Sequence, residues 1–400
     1  MLWVHVRGFP YPLSLPVLWV AFEFLREFLL TGFPWASLGY SQHDHLTLVQ
    51  SADLFGVYGL SFLIVLSNSV FAELLLARRR GTRLPWAGLA VTAAALAACW
   101  GYGTWRLAGD PDSRPQRLQV AVVQGNIPQD VKWHPDYQRE TIRIYRDLSL
   151  RATRADRPEL LIWPEAATPF FYQEGNPLAV QVGQVPQETG AALLFGSPAY
   201  RREGDQLHYL NSVYLLDRLG AEQGRSDKVH LVPFGEYVPL KRFLPFIDKL
   251  VVGIGDFSPG TITPLPFAGH RLGVLVCYEA IFPELAREWV RQGSDLLVNV
   301  TNDAWFGNSS APWQHLAMVR FRAVENRIWV ARAANTGISA FIAPSGRILA
   351  ATGLFVPAAA TVEVGLGARP GLYARTGDLL PALFLVVAVI WLVQTRRRLV

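Results

Sequence analysis

Three residues in this sequence have the type and setting that nucleophilic acyl chemistry needs. Cys277 closes a near-continuous apolar run, residues 272–276, and is followed by Tyr278, Glu279, Phe282 and Pro283. A lone cysteine in such a run is ordinarily a small buried hydrophobe. At a strand-to-helix turn it becomes a candidate nucleophile, because the first N–H groups of a following helix donate to an oxyanion and lower a thiol pKa. Glu165 stands directly after the apolar residues 160–163 and Pro164. Strand ends are where α/β folds build active sites, although a surface glutamate opening a loop would look the same. Lys228 opens a short apolar stretch that closes on a glycine turn with Glu236. An ordinary surface lysine also fits that pattern. His230, two residues on, reads as a hydrogen-bonded structural histidine rather than a base.

The elements that must position these groups are legible around them. Residues 112–375 have the composition of a globular α/β domain. Apolar, β-branched runs recur at 118–124, 160–163, 192–196, 212–217, 272–278, 296–301 and 338–343, bounded by Gly, Pro, Asn and Asp. That is the pattern of buried strands. Helical patterns cover 136–153 and 311–331, the second with Pro312 in its first turn, which is a start signal. No solenoid repeat or low-complexity tract interrupts the domain. Its two halves remain free to share a fold without sharing a sequence.

Composition places the rest of the chain in a membrane. Of 400 residues, 51% are hydrophobic and 17% charged, against about 25% charge in soluble domains. Four apolar stretches approach the length of roughly 20 residues that a bilayer core takes: 13–30, 57–76, 85–105 and 378–394. The first carries Glu23, Arg26 and Glu27, which are costly in a span unless they face protein. Glu23 and Arg26, one turn apart, are placed to pair. The net charge of +5 gathers at Arg78, Arg79, Arg80 and Arg83, and again at Arg396, Arg397 and Arg398. Basic runs beside apolar stretches mark the cytoplasmic side of a membrane better than a nucleic-acid surface. The two clusters independently put the segment between the last two spans on the outer face. The domains expected are therefore 1–111, a membrane region of about three helices; 112–375, outside the cytoplasm; and 376–400, a last span with a basic tail. The two cysteines, Cys99 and Cys277, form no disulfide framework and have no zinc-site neighbours.

Glu165, Lys228 and Cys277 stand in the chain order of the catalytic Glu, Lys and Cys of the nitrilase, or carbon–nitrogen hydrolase, superfamily. The surrounding words narrow the likeness. Residues 122–129 with Lys132 and Trp133, then 163–165, 228–236, 277–279, 302–307, 312–315 and 373–378, resemble bacterial apolipoprotein N-acyltransferases. So do residues 23–26, 30–35 and 39–42 in the membrane region. The resemblance runs over nearly the whole chain. In the family, several further membrane helices precede the region of Glu23 and Arg26.

The resemblance implies an α/β fold, a nitrilase-type α-β-β-α sandwich inserted between transmembrane helices, in a multi-pass bacterial inner-membrane enzyme. It implies two-step acyl transfer from a phospholipid donor to the amine of a diacylglyceryl apolipoprotein, with no cofactor, metal or nucleic acid. Cys277 would form the thioester, Glu165 would move the protons, and Lys228 with the Tyr278 N–H would hold the oxyanion. Glu236, Tyr278 and Glu279 would support the site, and Trp133 would line the loop over the substrate, though Trp133 and Trp305 also suit plain packing. The apolar segments 243–247 and 250–254 would admit acyl chains or else fill a core. Two rival readings remain: a membrane-tethered amidase that transfers to water, and a non-catalytic membrane scaffold that keeps the fold. A transporter would need more spans.

Overall fold

The structure, a computed structural model, describes residues 11–237 and 256–399. The apolar segments 243–247 and 250–254 lie outside them. The chain forms two compact units: one of residues 112–323 and 328–369, the other of the segments up to Pro111, Val324–Arg327 and Pro370 onward.

The second of these is helical. It contains α1 (Tyr11–Arg26), α2 (Ala52–Arg80), α3 (Trp86–Ala108) and a C-terminal helix, Leu379–Leu399. α2 and α3 are long and apolar enough to cross a membrane. α1 has 16 residues and the apolar part of the C-terminal helix is Leu379–Gln394; both are shorter than a span ordinarily requires. α2 bends at Gly56, whose φ is 62°. A Cβ there would lie 2.6 Å from the Tyr373 ring, so glycine is what permits the close approach. Glu23 and Arg26 do not pair as their spacing suggests. Glu23 Oε1 accepts from Trp19 Nε1 at 3.0 Å and from the Leu38 N–H at 2.7 Å, and Arg26 Nη2 donates to Ser37 Oγ at 3.1 Å. The segment after α1 folds back and offers each side chain a partner of its own.

The other unit is built on period-two alternation. In β1 (Gln116–Gln124), Leu118, Val120 and Val122 enter one core while Ala121 and Val123 enter another. With β2 (Leu160–Ile162), β3 (Ala192–Glu203), β4 (Gln206–Leu216), β5 (Glu222–Asp227) and β12 (Ala358–Leu366), β1 makes a six-stranded sheet in the order β12-β1-β2-β3-β4-β5. A second sheet contains β6 (Leu265–Phe267), β7 (His270–Val276), β8 (Leu296–Thr301), β9 (Val330–Ala334), β10 (Ala340–Ile342) and β11 (Ile348–Ala351), in the order β11-β10-β9-β8-β7-β6. β1, β2 and β3 are parallel, as are β7, β8 and β9, and every other pairing is antiparallel. The two halves therefore repeat one plan, with β1 matching β7 and β5 matching β11.

The sheets pack face to face through one buried cluster drawn from both, including Val120, Ile162, Leu194, Val274, Val298 and Phe341. Helices α4 (Pro135–Asp156) and α5 (Pro177–Thr189) cover the outer face of the first sheet, through residues such as Ile142, Tyr145 and Val182. Helices α6 (Pro283–Arg291) and α7 (Ala311–Asn326) cover the second, through Trp289, Leu316 and Val319. The result is an α-β-β-α sandwich. α7 stops short of the expected residue 331. Arg327 turns to a φ of 51°, and Val330 and Ala331 enter β9 instead.

Candidate active site

Each of the three chemical residues follows closely on a strand: Glu165 after β2, Lys228 after β5 and Cys277 after β7. Irregular backbone gathers with them. Cys277 itself has a φ of 53°, Ala166 one of 46°, and Phe234, in the loop between Lys228 and Glu236, one of 60°. Left-handed non-glycine residues cost about 1–3 kcal/mol each and concentrate at functional sites. Gly196 of β3 makes room for the Glu165 turn, since a Cβ there would sit 2.6 Å from Ala166 N and 2.7 Å from Glu165 Cα.

Glu165 is 8% exposed, which removes the reading of a surface glutamate. Its Oε1 accepts from Asn211 Nδ2 at 2.8 Å and its Oε2 from the Asn302 N–H at 3.0 Å. Lys228 is 1% exposed. Its Nζ lies 2.9 Å from Glu236 Oε1 and 3.7 Å from Glu165 Oε1. Burial alone would discharge this lysine, but Glu236 and Glu165, with Cys277 and Glu279, hold its pKa well above the ordinary lysine value. Lys228 is therefore a fixed cation. Asn211 Nδ2 also donates to Glu236 Oε1 at 2.9 Å, so one amide on β4 ties the two carboxylates together. Glu236 Oε2 in turn accepts from the Val232 N–H at 2.8 Å.

Cys277 opens a 3₁₀ turn, Cys277–Ile281, rather than a full helix. Burial and the Glu165 charge push its thiol pKa well up, against the pull of Lys228. The expectation that helical N–H groups lower this pKa is thus reversed: the turn is short, and burial outweighs it. The resting thiol is protonated, so its attack needs a base, and Glu165 carries a carboxylate in the same cluster. Glu279 is fully buried and braces the turn from below. Its Oε2 accepts from the Val276 N–H at 2.6 Å, and its Oε1 accepts from the Val229 and His230 N–H groups at 2.6 and 2.9 Å. One carboxylate thereby links the Cys277 turn to the Lys228 loop. Burial pushes its pKa up to about 7, while Lys228 and those N–H groups oppose the rise.

The remaining expected residues fall around this cluster. The Tyr278 ring packs edge-on against Phe282 at 5.0 Å between centroids. The His230 ring lies 4.0 Å from that of Phe282. Trp133 caps the short helix Gln129–Lys132 and is 40% exposed. Trp305 is 72% exposed, so it packs in no core of this unit.

Two further residues of the cluster have no chemical role assigned from the sequence. Asn211 sits inside a strand like any polar strand residue. Lys132 looks like an exposed helix lysine beside Trp133, yet it is fully buried and its Nζ donates to the Glu165 carbonyl oxygen at 3.2 Å. Burial lowers its pKa to about 8, with Glu165 and Cys277 pulling it back up.

Residues 119–368 match the carbon-nitrogen hydrolase family, and residues 1–70 match the apolipoprotein N-acyltransferase N-terminal domain. An apolipoprotein N-acyltransferase of Geobacter metallireducens is 49% identical over 375 residues, which is 93% of this chain and 72% of that one. The chain belongs to the apolipoprotein N-acyltransferase family. A second relative of that name, from Methylococcus capsulatus, is 37% identical over 96% of this chain and 74% of its own length. Among solved structures, the nitrilase-superfamily amidase of Nesterenkonia sp. AN1 is similar, at 21% identity and a TM-score of 0.49 over 68% of this chain and 97% of that one. The carbon-nitrogen hydrolase match and the curated relatives, with the two-sheet sandwich, make the chain an enzyme of the nitrilase superfamily with its α/β fold.

Lys132 gives this enzyme a pH signature. Its ammonium is attracted to Glu165 and Cys277, and burial brings its pKa down to about 8. The alkaline limb of kcat/KM is expected near that pH. Lys132→Arg, which stays charged, should carry the limb upward, and Lys132→Met should lower kcat/KM at pH 7 about tenfold and remove the limb. A pH–rate profile of the three proteins checks this.

Proposed function

We propose that this chain moves an acyl group from a phospholipid, through a thioester on Cys277, to the α-amine of the diacylglyceryl-cysteine that begins an apolipoprotein. In the first step Cys277 Sγ forms a bond to the ester carbonyl carbon, and Glu165 takes the thiol proton. The tetrahedral oxyanion lies against Lys228 and the Tyr278 N–H. Collapse breaks the ester C–O bond, and Glu165 returns the proton to the departing lysolipid oxygen. In the second step the amine attacks the thioester, Glu165 accepts its proton, and the C–S bond breaks to leave the amide and the Cys277 thiol. Each preorganised oxyanion donor is worth about 3–4 kcal/mol in such reactions.

What supports this reading is the setting of Cys277 in a chain of this family. Its thiol is protonated, its backbone is strained, and the buried cluster of Glu165, Lys228, Glu236 and Glu279 adjoins it. Lys228 stays charged because Glu236 shares it, which leaves Glu165 free to exchange protons. In the same reading α2 and α3 cross the membrane, α1 and the C-terminal helix complete a multi-pass region, and the basic residues after α2 and at the C-terminus stay cytoplasmic. Residues 112–375 then work on the periplasmic face, where both lipid substrates are in reach.

The purified chain in detergent, given phospholipid and a synthetic peptide with an N-terminal S-diacylglyceryl-cysteine, tests the choice of acceptor. The N-acylated peptide should accumulate in step with lysolipid, with little free fatty acid. Free acid in its place, with the peptide amine unmodified, would identify a hydrolase that transfers to water.

A further inference from the structure

A second charged cluster lies behind the nucleophile, and the proposed mechanism does not use it. Asp303, His315 and Arg332 are buried, with Thr301 and Asn299 beside them. Asp303 Oδ2 accepts from Arg332 Nη2 at 2.6 Å, and Asp303 Oδ1 accepts from Thr301 Oγ1 at 2.9 Å. Arg332 Nε donates to the Ile338 carbonyl at 3.1 Å and its Nη1 donates to Asn299 Oδ1, whose amide donates to the Leu275 carbonyl at 2.8 Å. The arginine is thus locked onto β7, β8 and the loop before β10. His315 lies in the first half of α7, with Nδ1 3.0 Å from Asp303 Oδ1 and 3.3 Å from Arg332 Nη2. Its Nε2 lies 3.2 Å from the carbonyl oxygen of Cys277. A carbonyl oxygen can only accept, so Nε2 carries the hydrogen. Gly337 closes the cluster, since a Cβ there would meet Asp303 Oδ2 at 2.3 Å.

The oxygen that His315 holds belongs to the peptide joining Cys277 to Tyr278. That peptide is planar and trans, with no cis bond among the described residues, so its C=O and N–H point to opposite sides. Fixing the carbonyl therefore fixes the direction of the Tyr278 N–H. We infer that the Asp303–His315 pair is the positioning device of this active site, which locks the Cys277–Tyr278 peptide so that its N–H faces the carbonyl oxygen of the acyl group on Cys277. The pair also holds the Cys277 backbone in its left-handed conformation. In the neutral ring Nδ1 carries no hydrogen and accepts from Arg332 Nη2, which Asp303 holds in place; in the imidazolium Nδ1 donates to Asp303 Oδ1 directly. Here the pair acts on the nucleophile's peptide rather than on its thiol. Burial and Arg332 lower the His315 pKa, and Asp303 and the Cys277 carbonyl raise it. Any form of the ring with Nε2–H makes the same contact.

The inference rests on the thioester chemistry proposed above, and its test separates the two. The wild-type chain, His315→Leu and His315→Gln are loaded with phospholipid whose ester carbonyl carries 13C, and the thioester C=O stretch is recorded by infrared difference alongside kcat and KM. His315→Leu should move the stretch to higher frequency and lower kcat about 10- to 100-fold, with KM for phospholipid little changed, as for a misdirected oxyanion donor. His315→Gln, whose amide can reach the same carbonyl, should return the stretch toward the wild-type position and recover about tenfold in kcat. An unshifted stretch in His315→Leu, or a folded His315→Gln no better than His315→Leu, overturns the positioning role alone. No thioester on the wild-type chain overturns the acyl-enzyme chemistry and this inference with it.

Discussion

Cys277→Ala leaves a folded chain that transfers no acyl group, with kcat down about 10⁴-fold or more, as when other acyl-transfer enzymes lose their nucleophile. The fold should tolerate the change. Removing one sulfur from a half-buried site costs about 1 kcal/mol. Cys277→Gly should be more stable than Cys277→Ala by roughly 1 kcal/mol, because glycine takes a φ of 53° without the strain a Cβ brings. A position where glycine outperforms alanine is one whose left-handed backbone costs the fold something. Cys277→Ser should stay far below wild type, because Glu165 must then deprotonate a hydroxyl, a much weaker acid than the thiol. Thermal melts and single-turnover acylation of the four proteins check these outcomes together.

The second large effect belongs to Lys228. It is the cation that Glu165, Glu236 and Glu279 share. Lys228→Met leaves those carboxylates buried with that charge gone, which costs about 3–5 kcal/mol of stability and abolishes transfer. The sign with pH follows from which form is penalised. Without the lysine, the burial that raises the Glu279 pKa loses its main opposition, so the ionised carboxylate is disfavoured further on folding. The deficit in melting temperature should therefore be largest at neutral pH and shrink as the pH falls toward the ordinary carboxylate range. Lys228→Arg keeps the charge, but its planar fork does not fit a site shaped for one point donor, so it should fold better than Lys228→Met and remain inactive. Activity and melting temperature measured from pH 5 to 8 check both variants.

What the sequence disclosed, and what it hid, follows from which contacts are local. β1, β2, β7 and β8 are buried on both faces and read as continuous apolar runs. β5 is an edge strand of Glu, Gln, Gly, Arg, Ser and Asp, and no apolar pattern marks it. It still carries Lys228 into place through its pairing with β4. β9 was hidden by a helical periodicity that runs past the true end of α7 at Asn326. Glu165 and Cys277 drew attention because a chemical residue at the end of an apolar run is a local signal, and Lys228 because it opens the apolar stretch that closes on Glu236. Asn211 and Arg332 did not, and Lys132, Asp303 and His315 stood only as members of family-like words, because the burial and partners that define them come from other elements. Glu165 shows both sides: its strand end was visible, and its burial was not.

One measurement bears most directly on the chemistry proposed here. The chain is incubated with phospholipid and no amine acceptor, quenched in acid, and examined by intact and peptide mass spectrometry. A mass gain of one acyl chain is predicted on the Cys277 peptide, lost on addition of the diacylglyceryl peptide and absent from Cys277→Ala. An unmodified Cys277 in a chain that still turns over, or the same adduct on another residue, would contradict the account.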